Sequence, residues 1–231
     1  MERAKKFAEN LVEKLKGERI GLVYFAGSAY LQMPVTTDYA AAELFIRSAS
    51  PELAASQGTS LGEAIGVARR SFRSDESKAH KVLVIITDGE DHDGEADSEA
   101  EKAREDGIIQ FTVGVGTGQG GPIPMSIGGR EEYKRDEQGQ PVITKLNEPM
   151  LQELAAKGGG TYLHISQGDA VVAEALQTQI DKLEKKELEV QAFSSFNSYF
   201  QYFVFLGLVV LVVDWLVSWR RHRLEGRDIF G

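Results

Sequence analysis

Apolar residues along this chain alternate between helical spacing and short continuous runs, so strands and helices are predicted to alternate. Arg3 to Lys16 has a helix pattern closed by Gly17. Arg19 to Phe25 reads as a strand, joined through Ala26-Gly27-Ser28 to a short second strand, Tyr30 to Met33. Asp38 is placed to cap a helix running to about Ser48, and Thr59 or Ser60 to cap another from Leu61 to about Phe72. Val82 to Ile86 is apolar without alternation, the mark of a strand buried on both faces. A helix over Asp97 to Asp106, a strand over Ile108 to Val115, a helix over Leu151 to Lys157 and a strand over Tyr162 to Ile165 follow. Pro122 to Leu146 breaks the rhythm and reads as a loop carrying a hairpin, with Asp136-Glu137-Gln138-Gly139 as its turn. The pattern implies an α/β fold, a doubly wound, mostly parallel sheet with helices on both faces.

The C-terminal part has a different organisation. Ala170 to about Glu189 reads as a long charged helix, within a connecting segment over 169–198. Phe200 to Trp219 is twenty residues long. As a helix it would be about 30 Å long, the thickness of a bilayer core. Tyr199 and Tyr202 flank one end, Trp215 and Trp219 the other, so a transmembrane helix over 199–219 is expected. Asp214 lies near the arginine-rich end, within reach of Arg220 or Arg221. Arg220, Arg221, Arg223 and Arg227 make 220–231 a basic cytoplasmic tail and put the preceding domain outside. That orientation implies an export signal, and the charged stretch at the N-terminus is not a signal peptide.

A net charge of −9 argues against nucleic acid as a partner. With no cysteine there is no disulfide, catalytic thiolate or Cys-ligated zinc, and the four histidines show no metal-ligand spacing. Gly116-x-Gly118-x-x-Gly121 runs into Pro122 rather than opening a helix, so it offers no helix N-terminus to a pyrophosphate. The acidic residues Asp91, Asp93, Glu95 and Asp97 do not form an EF-hand, because position 12 counted from Asp91 is Lys102. Ala26-Gly27-Ser28-Ala29 is not a nucleophile elbow.

Two segments remain, Gly58-Thr59-Ser60-Leu61-Gly62 and Thr87-Asp88-Gly89-Glu90-Asp91. Asp88 follows an apolar strand at its carboxyl end, where open α/β sheets place their ligands. The hydroxyl of Thr59 and the carboxylate of Asp88 on one rim would suit a hard cation such as Mg2+. A helix cap at Thr59 and a simple turn at Asp88 are the alternative reading.

The segments RIGLVYFAGSAYLQMPVTTDY, QGTSLGEAI, VLVIITDGEDHDG, FTVGVGTGQGGPIP and PVITKLNEPMLQELAAKGGGTYL resemble a von Willebrand factor A domain. The similarity is to the membrane-anchored kind found in bacterial aerotolerance (Bat) operons. It implies a metal-ion-dependent adhesion site on the upper rim, with Thr59 and Asp88 as metal ligands and Glu90 and Asp91 shaping the loop. It also implies a non-catalytic module in the bacterial inner membrane that binds protein partners, related membrane proteins of the same kind among them. The family's D-x-S-x-S pattern occurs nowhere in this chain. In the family that pattern lies on the central first strand, with membrane helices usually before it, and Met1 falls at the start of the helix that follows. The expected domain over 1–168 therefore lacks its first central strand, which leaves two strand edges unpaired and Mg2+ binding weak or absent. A structural remnant without ligand and a cryptic α/β enzyme are the competing readings.

Overall fold

The computed structural model describes residues 1–53, 58–74, 80–91, 94–122, 124–127, 130–133, 139–140, 143–194 and 200–225. Asp93, the turn residues Asp136 to Gln138, Tyr199 and Arg227 lie outside that set. The chain divides into two compact units, Met1–Glu184 and Lys185–Gly231.

The first unit opens with helix α1 (Glu2–Lys14) and a hairpin of β1 (Ile20–Phe25) and β2 (Ala29–Thr36). β2 runs longer than its sequence suggests because the antiparallel pairing carries it back to Thr36, opposite Ile20. Helix α2 (Tyr39–Ser48) begins as expected at Asp38, whose Oδ1 accepts the Ala41 N–H at 2.9 Å. Helix α3 (Leu61–Arg73) leads to β3 (Lys81–Thr87), and α4 (Ala96–Glu105) to β4 (Ile108–Gly114). Next come short strands β5 (Gly121–Pro122), β6 (Pro124–Ile127), β7 (Arg130–Tyr133) and β8 (Ile143–Thr144). β6 and β7 pair as an antiparallel hairpin within the segment expected to carry one, and β5 pairs with β8, while the expected turn at Asp136 to Gln138 lies outside the described residues. Helix α5 (Glu148–Lys157), capped by the Asn147 side chain, and β9 (Gly159–His164) complete the alternation.

Strands β3, β4 and β9 form a parallel sheet with β4 in the middle. Helices cover both of its faces. On one, Phe7 and Leu11 of α1 pack with Phe111 and Val113 and with Val172 and Leu176. On the other, Leu61 and Ile65 of α3 pack with Ala100, Ile108 and Leu154. The glycines after α5 are steric requirements: a β-carbon at Gly160 would overlap the Gln110 carbonyl oxygen of β4. This is the α/β architecture expected from the sequence.

β3 is covered on both faces, as its apolar run predicts: Val82, Val84 and Ile86 pack against one core, and Leu83 and Ile85 against the other. It is nevertheless less buried than β4, in which every residue but Ile109 is buried. The reason is topological. Among the described residues β3 pairs only with β4, and β1 only with β2, so each keeps one unpaired edge. Among the described residues no strand joins the β1–β2 hairpin to the parallel sheet.

Helix α6 (Asp169–Ser194) runs from the first unit into the second, where α7 (Phe200–Glu225) follows. Its helical conformation coincides with the expected span. Among the described residues, however, no helix is long and apolar enough to cross a membrane.

Candidate functional site

Thr59 lies in the loop that leads into α3, and Asp88 directly follows β3 at its carboxyl end. Phe25, the last residue of β1, packs against the cluster that holds Leu61, Ile65 and Ile85. The Ser60 N–H donates to the Ala26 carbonyl at 2.7 Å, and Ser60 Oγ donates to the Gly27 carbonyl at 3.1 Å. Glu63 Oε2 accepts the Ala29 N–H at 2.8 Å. The start of α3 thus grips the β1–β2 turn.

Those bonds correct the expected cap. Ser60 occupies the N-cap position of α3 but makes no side-chain cap bond, and its hydroxyl is turned to Gly27 instead. Thr59 precedes it, half-buried. The Ser60-to-Glu63 spacing is that of a capping box, yet both side chains bond to the turn between β1 and β2. That S-x-x-E spacing was the signal that could have singled out Glu63.

The Asp88 loop is fixed from the other side. The Asp88 carbonyl accepts the Asn147 N–H at 2.9 Å, and the Thr87 carbonyl accepts the Val115 N–H at 2.9 Å. Gly89 has φ +81°, and a β-carbon there would come within 2.9 Å of the Asn147 carbonyl, so a glycine is required on both counts. Among the described residues Asp88 Oδ1 accepts only a long bond from the Glu90 backbone N–H, 3.4 Å. The carboxylate is half-buried and largely uncommitted. Gly62 brings the two loops together: an added β-carbon there would lie 2.7 Å from Glu95 Cβ, at the start of α4. No hydrogen bond joins Thr59 to Asp88 among the described residues.

For a metal, this donor set is incomplete. Among the described residues no group of three or more His, Asp or Glu gathers to hold one. Thr59 and Asp88 offer one hydroxyl and one carboxylate, so a bound Mg2+ would keep most of its waters. A second polar cluster occurs on β9: Tyr162 Oη and His164 Nε2 are buried without a hydrogen-bond partner. Burial, and then the charge of Glu148, push the Tyr162 hydroxyl up to about 12. Neither residue was singled out by the sequence.

A parallel sheet layered between helices, with Asp88 directly after one of its strands, defines an α/β domain of the doubly wound kind. The chain belongs to the von Willebrand factor type A domain family, whose profile matches residues 1–134. It is similar to the aerotolerance-related membrane protein from Bacteroides fragilis NCTC 9343, solved with multiple mutations to serines. Identity is 38%, over 78% of this chain and 88% of that one, with a TM-score of 0.73. It is equally similar to the conserved hypothetical protein BatB from Bacteroides thetaiotaomicron, at 40% identity over 80% and 88% of the two chains and a TM-score of 0.73. Proximal thread matrix protein 1 from the mussel byssus, solved with a zinc-occupied MIDAS motif, shares the fold. It is 17% identical over 76% of this chain and 40% of that one, with a TM-score of 0.55. None of the curated proteins matches the chain.

Proposed function

We propose that this chain is a non-catalytic, membrane-anchored interaction module that binds a protein partner at the rim formed by the Thr59 and Asp88 loops. The observation that carries this reading is the rim's construction. Backbone and side-chain bonds fix both loops, yet the Asp88 carboxylate is left half-exposed with one long hydrogen bond. Thr59 and Asp88 are the metal-facing residues, and Mg2+ is the cation their hard oxygens suit. A mussel protein with this fold holds zinc in such a site, which supports the position rather than the choice of ion. With two protein oxygens, this chain by itself holds Mg2+ weakly.

The anchor is α7. Its side chains from Tyr202 to Leu216 are all exposed, apolar ones such as Phe203 and Leu211 at 74% and 71% among them. A helix apolar on every side is at home in lipid. The Bacteroides fragilis relative, an aerotolerance-related membrane protein, supports placement at a membrane, which we take to be the bacterial inner one. Related membrane proteins of the same family are the expected partners. The arginines after the span put the domain on the extracytoplasmic side.

The test is a photo-reactive amino acid at Glu90 in the full chain expressed in its membrane. A cross-linked partner that disappears with chelator and with Asp88→Ala is the expected result. Cross-linking indifferent to both would remove the rim from the interaction. Calorimetric titration with MgCl2 should show no low-micromolar binding. Tight binding lost in Asp88→Ala would mean that the two oxygens suffice after all.

A further inference from the structure

Beyond its first turn, the stretch of α7 from Phe200 to Trp219 is built of large apolar and aromatic residues, with three exceptions, Gly207, Asp214 and Ser218. Asp214 stands seven residues after Gly207, and Ser218 eleven. Those steps are two and three turns of helix, so the three exceptions share one line, within about 40° around the axis. Nothing among the described residues lies within 4 Å of a β-carbon placed at Gly207, and the side chains from Tyr202 to Leu216 are all exposed.

Asp214 decides what this line is for. It lies fourteen residues after Phe200 and five before Trp219, about 21 Å and 7.5 Å along the axis. An aspartate side chain is too short to cover the second distance, unlike the long stems of lysine and arginine. Its own helix supplies no basic partner either. The positions three and four residues away are Val210, Leu211, Val217 and Ser218. Arg220 is turned about 120° away, and Arg221, on the same face, is two turns distant, about 10.5 Å along the axis. The pairing with these arginines that the sequence suggested is therefore not offered by the helix.

We infer that Asp214 recognises a basic side chain presented at its own depth by a second membrane-spanning helix, packed along the Gly207–Asp214–Ser218 line. The inference rests on the reading of α7 as the membrane anchor. Hydrocarbon gives a carboxylate no hydrogen-bond donor, and ionisable groups inside spans pair with one another, so charge complementarity selects the occupant. Gly207 lets the partner's backbone approach closely, which is how helices associate in lipid. Other occupants fit less well. Lipid tails leave the carboxylate unpaired. In a symmetric pair of copies equivalent residues meet at the two-fold axis, so Asp214 would face a second Asp214. A proton path needs a series of ionisable groups, and Asp214 is the one acidic, basic or histidine residue between Phe200 and Trp219.

The experiment places the donor-labelled full chain in phosphatidylcholine vesicles with an acceptor-labelled transmembrane peptide of leucine and alanine. One peptide carries a single arginine at the level of Asp214, and its control carries leucine there. Flotation after alkaline extraction first shows whether α7 is inserted. The expected result is saturable energy transfer with the arginine peptide and only random-collision transfer with the control. Asp214→Leu should weaken the association about fivefold to tenfold, and Gly207→Ile a few-fold. Exchanging neighbours, Val213→Asp with Asp214→Val, keeps the carboxyl but turns it about 100° off the line, and should weaken association as much as Asp214→Leu. A chain stripped from the vesicles by alkali would remove the anchor reading and this inference together. An inserted chain that does not prefer the arginine peptide would overturn this inference alone. So would full binding by the exchanged variant, which means charge without a packed line. Transfer between two labelled copies of the chain that is lost in Asp214→Leu would overturn it too, in favour of self-association.

Discussion

Enlarging a buried alanine usually strains a core, but at Ala68 it should stabilise this one. Ala68 is 4% exposed and lines, from α3, the slot between β1 and β3. The slot is a partly open apolar space of about 320 Å³, roomy enough for a larger side chain. Ala68→Leu places about three more carbons in the slot, each worth about 0.8 kcal/mol when buried. Rotamer entropy takes back roughly 0.5–1 kcal/mol, which leaves a gain of about 1.5 kcal/mol. Urea unfolding of the full chain in nanodiscs, followed by circular dichroism, measures this directly. At a slope of about 1–3 kcal/mol per molar urea, the midpoint should rise by roughly 0.5–1.5 M with the slope unchanged. Ala103→Leu is the control. Ala103 is fully buried against Leu154 and Ile108 and does not line the slot, so overpacking there should cost about 1–3 kcal/mol. A lowered midpoint for Ala68→Leu matching that control would mean that the slot is closed in solution and the reasoning wrong.

Other consequences are as direct. Gly160→Ala should destabilise by about 1–3 kcal/mol in the same assay, because its β-carbon would meet backbone rather than a movable side chain, and unchanged stability would mean that β9 sits farther from β4. Tyr162 is held neutral, with its folded pKa near 12 above the ordinary 10, so its contribution is complete below pH 10 and lost as pH rises through 12. Tyr162→Phe should flatten that alkaline slope, and a tyrosinate absorbance titration should show one late tyrosine that the variant lacks. The Arg73 guanidinium, bonded to Asp106 at 2.9 and 3.1 Å, holds that carboxyl below its ordinary range. The α3–α4 clasp is thus at full strength above about pH 4 and fails as pH falls toward the lowered value, and Asp106→Asn should remove that acid slope.

The parts of the fold that were legible in the sequence are those that local chemistry decides. Asp38 caps α2 because a carboxylate ahead of a helix has one good use, and the apolar run at β3 forms a strand because nothing in it favours a helix. What depended on distant residues was not legible. Ser60 looks like a cap, but a carbonyl thirty-three residues away at Gly27 competes for its hydroxyl and wins. The Asp88 loop depends on Asn147, and no local pattern around Asp88 could point there. A hairpin was legible in the Gly- and Pro-rich segment before α5, where β6 pairs with β7. The composition of β3 calls for burial on both faces. The structure gives it one neighbour, so a strand with the sequence of a sheet centre lies at a sheet edge.

That mismatch also bears on the rim. The β1–β2 turn is held to α3 by Ser60 and Glu63, and Asp88 is the residue directly after β3. The distance between those two halves of the rim is therefore set by the separation of β1 from β3, across which no ladder bond runs among the described residues. Only packing against α1 and α3 spans it, and apolar packing fixes position less sharply than paired backbone does.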